Sequence, residues 1–159
     1  MASVIECAMA EQDADVAQKL AYVRRIMAEM IPFNRLLGIE VVELQAGRAV
    51  LALPFRQELL GDPLRPALHG GVLSALADTC GGAAVWTAIG PQDRVSTIDL
   101  RVDYLLPGPP ERMVAVADVL RVGNRVGVAA IRIASASLPH QVVAEGKGVY
   151  AVKRTEERG

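Results

Sequence analysis

Between Ala67 and Gln92 the chain carries one formally charged side chain, Asp78, in a run otherwise dominated by small and apolar residues. An unpaired carboxylate is costly to bury. Asp78 is therefore either held by backbone or an arginine, or it faces a cavity where its charge works as a base or nucleophile. The same run opens with Leu68, His69, Gly70 and Gly71. Two glycines at a helix start are expected to leave backbone N–H groups bare, where orphan donors and the helix dipole favour incoming partial negative charge. A carbonyl oxygen placed there would sit in an oxyanion hole.

Asp78 lies eight residues after Gly70, about 12 Å along a helix at about 1.5 Å per residue. One helix cannot present both groups to one carbonyl. Joint action therefore predicts a two-fold dimer with antiparallel helices, in which each of two equivalent sites draws Gly70 from one chain and Asp78 from the other. Other reactive residues have simpler readings. Cys7 and Cys80 show no C-x-x-C spacing, and His69 and His140 are the only histidines, so neither a disulfide framework nor a metal site is expected. Cys80 reads as a small buried hydrophobe and His140 as a turn residue.

The elements that must position these groups follow from periodicity. Val16, Leu20, Val23, Met27 and Met30 predict an amphipathic helix over Asp13 to Ile31. Pro32 and Gly38 bracket a turn or short helical piece. Ile39 to Leu44 and Arg48 to Leu53 read as a hairpin, and Arg56 to Pro66 as a loop. A second helix is predicted from about Gly70 to Trp86, apolar nearly all round and so enclosed by other elements. Val95 to Leu106 alternates, with Ile98, Leu100, Val102 and Tyr104 on one face and Thr97, Asp99, Arg101 and Asp103 on the other. Met113 to Val122, Val126 to Ser135 and Val142 to Val152 complete a meander, turning at Gly123-Asn124 and Pro139-His140. The small residues of the last strand would let a helix approach closely. The class is α+β, divided into an N-terminal extension (1–31), a main domain (32–153) and a tail (154–159).

The totals bound the function. The chain has 159 residues, 52% hydrophobic and 4% aromatic, with 17 Lys plus Arg against 18 Asp plus Glu. That excludes a disordered chain, and it argues against a base-stacking or strongly basic nucleic-acid surface. No signal peptide is read at the N-terminus, and Asp78 makes the apolar run a buried helix rather than a membrane span.

The order of elements resembles the hotdog fold, a long central helix wrapped by a curved antiparallel sheet, here with an extra N-terminal helix. His69-Gly70-Gly71 followed by Asp78, and the run from Thr97 through Tyr104 to Gly108, resemble acyl-CoA thioesterases of the phenylacetate-degradation type. Pro32-Phe33-Asn34-Arg35, Leu68 to Val72 and Leu120 to Val126 are most similar to a bacterial branch associated with medium- and long-chain acyl-CoA. The resemblance implies hydrolysis of acyl-CoA to free CoA and a carboxylic acid, without metal or redox cofactor. It casts Asp78 as general base, or as nucleophile forming an anhydride. Gly70 would polarise the thioester carbonyl through its N–H, His69 would help orient the thioester, and Thr97 would position water or carboxylate. Gly71, Arg121, Asn124 and Arg125 are the expected substrate-binding residues, with Arg121, Arg125 and Lys147 candidates for the CoA phosphates; taken singly, each charge also reads as a solvated strand-edge residue. Met27, Met30 and Phe33 read as core residues or as lining for an acyl pocket. Relatives place Asn or Gln six residues before the His, where this chain has Pro63, and that polar helper is unassigned.

A thioester is activated enough that a carboxylate and an oxyanion hole can suffice, and no G-x-S-x-G elbow appears. The expected assembly is a homodimer that pairs into a dimer of dimers, in the cytoplasm, with no nucleic-acid partner. Two alternatives remain open at this level: an enoyl- or hydroxyacyl-thioester hydratase or dehydratase of the same fold, and a non-catalytic acyl-CoA-binding module.

Overall fold

In the computed structural model, which describes residues 4–62, 64–90 and 92–155, the apolar run around Asp78 forms α3 (Gly70–Thr87). Two helices precede it, α1 (Val4–Arg25) and the short α2 (Pro32–Leu37), joined by a five-residue π-helical turn, Ile26–Met30. The hairpin is β1 (Glu40–Gln45) and β2 (Arg48–Leu53), and the meander is β5 (Arg94–Tyr104), β6 (Met113–Val122), β7 (Val126–Ser135) and β8 (Val142–Lys153). These six strands make one antiparallel sheet in the order β1-β2-β6-β7-β8-β5. The predicted loop before α3 is more ordered than expected: it holds a single 3₁₀ turn, Gln57–Leu59, and a small antiparallel pair, β3 (Leu60–Asp62) and β4 (Ala67–Leu68). Helix α1 begins at Val4, ahead of the Asp13 start read from periodicity.

One face of α3 packs on the sheet. Leu73, Leu76, Cys80, Ala83 and Ala84 meet inward-facing residues such as Leu51, Met113, Ile131 and Ile133 in one core. Each fully buried leucine or isoleucine there contributes about 1.5–3 kcal/mol. The opposite face is not enclosed by its own chain. Gly71 is exposed, and Ala75, Asp78 and Gly82, which follow it at helical spacing, are only half-buried.

Two turns depend on glycine. Gly38 ends α2 at φ 73° and Gly47 closes the hairpin at φ 78°, both in the left-handed region where a side chain is strained. The other two turns form as expected, with Gly123 N–H donating to Val126 O and Gln141 N–H to Leu138 O.

The strict alternation expected for β5 is broken. Pairing with β8 slips between Thr97 and Asp99, so Ile98 is an inserted residue, and it is 59% exposed. A one-residue insertion reverses which face the following side chains occupy. Thr97, expected on the face opposite Leu100, therefore shares the helix-facing side with it. Gly148 of β8 and Gly81 of α3 leave room for the Tyr150 ring, because a Cβ on either would collide with it. Among the described residues no helix is long and apolar enough to cross a membrane.

Candidate active site

Asp78 occupies the third turn of α3. Thr97 Oγ1, delivered by the β5 bulge, donates to Asp78 Oδ1 at 2.9 Å, and Tyr150 Oη donates to the Asp78 backbone carbonyl at 3.2 Å. Burial, and then the nearby Asp78 carboxylate, push the Tyr150 hydroxyl well above the ordinary phenol value. It therefore stays protonated as a donor. Asp78 and Thr97 line a pocket of about 250 Å³ whose far walls come from the N-terminal segment (Met27, Ile31, Phe33, Asn34) and from Trp86. Trp86, the end of the helix read from sequence, is thus also a pocket wall, and it meets Tyr22 of α1 edge-on with ring centroids 6.4 Å apart. Of the three candidate acyl-lining residues, Met27 and Phe33 line this pocket, whereas Met30 is 57% exposed and does not.

The start of α3 is built differently. His69 is its N-cap, and His69 Nδ1 accepts from Gly71 N–H at 2.9 Å. An accepting Nδ1 carries no proton, so in this arrangement the ring proton sits on Nε2. Only one of the two glycine N–H groups expected to be bare is so: Gly71 N–H is occupied by its own cap, while Gly70 N–H has no acceptor among the described residues. Both glycines are explained by ring neighbours, since an added Cβ would lie 3.3 Å from the Tyr104 ring at Gly70 and 3.0 Å from His69 Nδ1 at Gly71. The segment is clamped by backbone bonds from His69 N–H to Leu59 O and from Leu68 N–H to Gly108 O, and Gly61 packs directly on His69.

Sequence reasoning missed two residues here. Tyr104 Oη donates to Gly70 O at 3.0 Å and shares a 2.5 Å hydrogen bond with Ser74 Oγ. Ser74 lies one helical turn after Gly70, a signal that could have suggested it. Nothing local connects Tyr104 to the helix start. Gly70, Leu73, Tyr104 and Leu106 line a second pocket of about 320 Å³, which neither Asp78 nor Thr97 enters. The Gly70 and Asp78 surfaces of one chain thus open on separate pockets, in keeping with their separation along α3.

Arg121, Asn124 and Arg125 lie exposed at the β6–β7 turn and line neither pocket. The turn is braced by Arg154, which donates to Gly123 O and pairs with Asp93 at 2.7 Å. Burial of Asp93 opposes its ionisation, but hydrogen bonds from Thr155 N–H, Arg154 and Gly90 N–H outweigh it and hold the carboxyl below the usual range. Lys147 lies on the outer sheet face beside Arg101 and Asp103, away from α3. Asp103 pairs with Arg101 at 3.0 Å, as its strand position suggests. Cys80 is fully buried with Sγ against the Ala49 and Ala115 carbonyls, and burial pushes its thiol up to about 12. It is no nucleophile at neutral pH. Asp62 Oδ1 accepts from Leu64 and Arg65 N–H, whereas Pro63 and the side chain of Cys7 lie outside the described residues. No group of three His, Cys, Asp or Glu side chains that could hold a metal ion occurs among the described residues.

Residues 66–138 match the family model of the thioesterase superfamily. The medium/long-chain acyl-CoA thioesterase YigI of Escherichia coli strain K12 is 34% identical over 129 residues, covering 73% of this chain and 83% of that protein. The chain belongs to the thioesterase superfamily. A protein related to that superfamily from Shewanella oneidensis superposes with TM-score 0.75 at 28% identity, covering 86% of this chain and 96% of its own. The Escherichia coli PaaI protein of the phenylacetic acid degradation operon superposes with TM-score 0.77 at 24% identity, covering 88% and 96%. The superfamily member described here is a thioester hydrolase with the hotdog architecture, α3 packed on a curved antiparallel sheet with an added N-terminal helix.

Proposed function

We propose that the protein hydrolyses acyl-CoA to free CoA and a carboxylic acid, with medium- and long-chain acyl groups preferred over aryl-acyl groups. The observation that carries this reading is the Asp78 pocket, where a carboxylate oriented by Thr97 faces apolar walls from Met27, Ile31 and Phe33. Such walls suit an alkyl chain, and the relative named a medium/long-chain acyl-CoA thioesterase supports that preference.

Asp78 acts as general base. It takes a proton from water as the water oxygen bonds to the thioester carbonyl carbon, the C–S bond then breaks, and the departing thiolate is protonated to CoA. The partner subunit supplies the oxyanion donor, because Gly70 N–H is free yet opens on a different pocket from Asp78. A two-fold dimer with antiparallel α3 helices places each chain's Gly70 opposite the other's Asp78. Its support is the open face of α3, the unpaired outer edge of β5, and Leu105 and Leu106 exposed just beyond that strand. This dimer is the unit of the expected dimer of dimers. His69 orients the thioester through Nε2–H, while Gly71 fixes the cap that sets its tautomer. Arg121, Asn124 and Arg125 hold the CoA phosphates on a turn braced by Arg154.

A thiol-release screen across acetyl-, phenylacetyl-, hexanoyl-, decanoyl- and palmitoyl-CoA tests this reading, with Asp78→Ala as control. Fastest release from the longer alkyl substrates and none from the variant are expected. Wild-type rates in Asp78→Ala would overturn the role of the carboxylate, and a best rate on acetyl- or phenylacetyl-CoA would overturn the chain preference.

A further inference from the structure

Asn34 is only 2% exposed, yet it lines the pocket that contains Asp78 and Thr97. Its amide is held by a local irregularity of the backbone. In a regular helix the Met27 carbonyl would accept from Ile31 N–H, but in the π-helical turn Ile31 N–H donates to Ile26 O at 3.2 Å instead. The freed Met27 carbonyl takes Asn34 Nδ2 at 2.9 Å. A carbonyl can only accept, so this bond fixes which end of the amide is nitrogen. Asn34 Oδ1 is the end left over, and it receives no hydrogen bond among the described residues. Oδ1 is not among the fully buried unpaired atoms, so it keeps surface through which a donor in the pocket can reach it, and π-helical turns are frequent at functional sites.

The chemistry of the pocket identifies what fits. Thr97 uses its hydroxyl proton on Asp78, which leaves the Asp78 carboxylate and the Asn34 amide oxygen as two acceptors in one small pocket. Water carries two O–H donors and a lone pair. We infer that Asn34 is a positioning residue for hydrolysis: its Oδ1 and the Asp78 carboxylate each accept one proton of the attacking water, which turns the water's lone pair toward the thioester carbonyl. This rests on the reading of Asp78 as general base. It also supplies a polar helper from the N-terminal segment in a chain that has Pro63 at the position where the resemblance led one to expect Asn or Gln.

Asn34→Ala and the near-isosteric Asn34→Asp, assayed on the full chain with decanoyl-CoA, test the inference. In Asn34→Ala, kcat is expected to fall about 10²-fold, as for a misplaced reactant. KM, and the affinity for a non-hydrolysable thioether analogue of decanoyl-CoA, should stay within about threefold. In Asn34→Asp, a second carboxylate beside Asp78 should move the acid limb of kcat/KM upward, because neighbouring carboxylates cannot both ionise freely. Among the described residues Asp78 and Tyr150 are the only other titratable ones lining the pocket, and Cys80 lies on the sheet side of α3. An Asn34→Ala enzyme with unchanged kcat, or with its loss confined to KM and analogue affinity, would overturn the inference. If that variant fails to fold, an acid limb unmoved in Asn34→Asp overturns it instead. Asp78→Asn separates the two readings: full activity there defeats the base assignment, whereas an inactive Asp78→Asn beside a fully active Asn34→Ala defeats only the role of Asn34.

Discussion

At the start of α3 the group proposed to act is a backbone N–H, and the cap beside it is close in sequence. His69 caps Gly71 two residues on, and Ser74 stands one turn further along. Eight residues later the group proposed to act is a side chain, and almost nothing that arranges it is local. Thr97 comes from β5, Tyr150 from β8, and Asn34 and Phe33 from α2. The N-terminal half therefore starts from helix-end chemistry, which any helix start possesses, and the fold adds Tyr104 and Gly108 to it. The Asp78 half is set by three elements converging on one helix face. A donor built from backbone tolerates change in its surroundings, whereas a carboxylate pocket is sensitive to each wall.

Mutations should separate the halves. The largest loss is expected from Asp78→Asn, about 10³-fold in kcat, because the proposed base is removed; continuous thiol release measures it, and a loss below tenfold would erase the contrast. Gly70→Pro removes the free N–H at a helix position whose backbone accepts proline, and with its ring crowding Tyr104 should cost at least about 10²-fold. Mixing Asp78→Ala chains with Gly70→Pro chains sharpens the comparison, since heterodimers would each regain one intact site. Recovered activity should approach about a quarter of wild type if each site spans two chains, and none should return if it does not.

Smaller effects test the supports of each half. Tyr104→Phe keeps the ring beside Gly70 but loses the hydroxyl shared with Gly70 O and Ser74; a few-fold fall in kcat with little change in melting temperature is expected. Asp93→Asn should act on stability first. The folded carboxyl lies below its usual range, so its stabilising contribution is present above the unfolded value of about 3.9 and is lost as pH falls through the lower folded value. The melting-temperature gap between wild type and Asp93→Asn should therefore be widest near neutrality and close toward pH 3. A gap that widens with acid would contradict the Arg154 clasp.

Much of this was legible in the chain. The Gly70 to Thr87 helix, the meander and the hairpin follow from periodicity and turn residues, and Asp78 is conspicuous because nothing near it in sequence is charged. The misses share a cause. Periodicity assumes an uninterrupted ladder, so it assigned Thr97 to the wrong face, and only the slip against β8 at Ile98 corrected it. Capping is a side-chain decision, so the sequence left both glycine N–H groups bare where the structure frees one. Asn34 stood out only as part of the Pro32-Phe33-Asn34-Arg35 resemblance, with no role attached, because where its side chain goes depends on a π-helical turn that no residue pattern announces.

By itself the sequence determined that a carboxylate would lie in an apolar helix, that a glycine-rich helix start would offer a donor, and that about 12 Å would separate them, because rise per residue is a property of the helix alone. Only the tertiary structure decided what surrounds each group. Which hydroxyl reaches Asp78, which N–H remains free and which wall an acyl chain would touch depend on bulges, caps and packing between distant segments, where a shift of one residue reverses the face that a side chain presents.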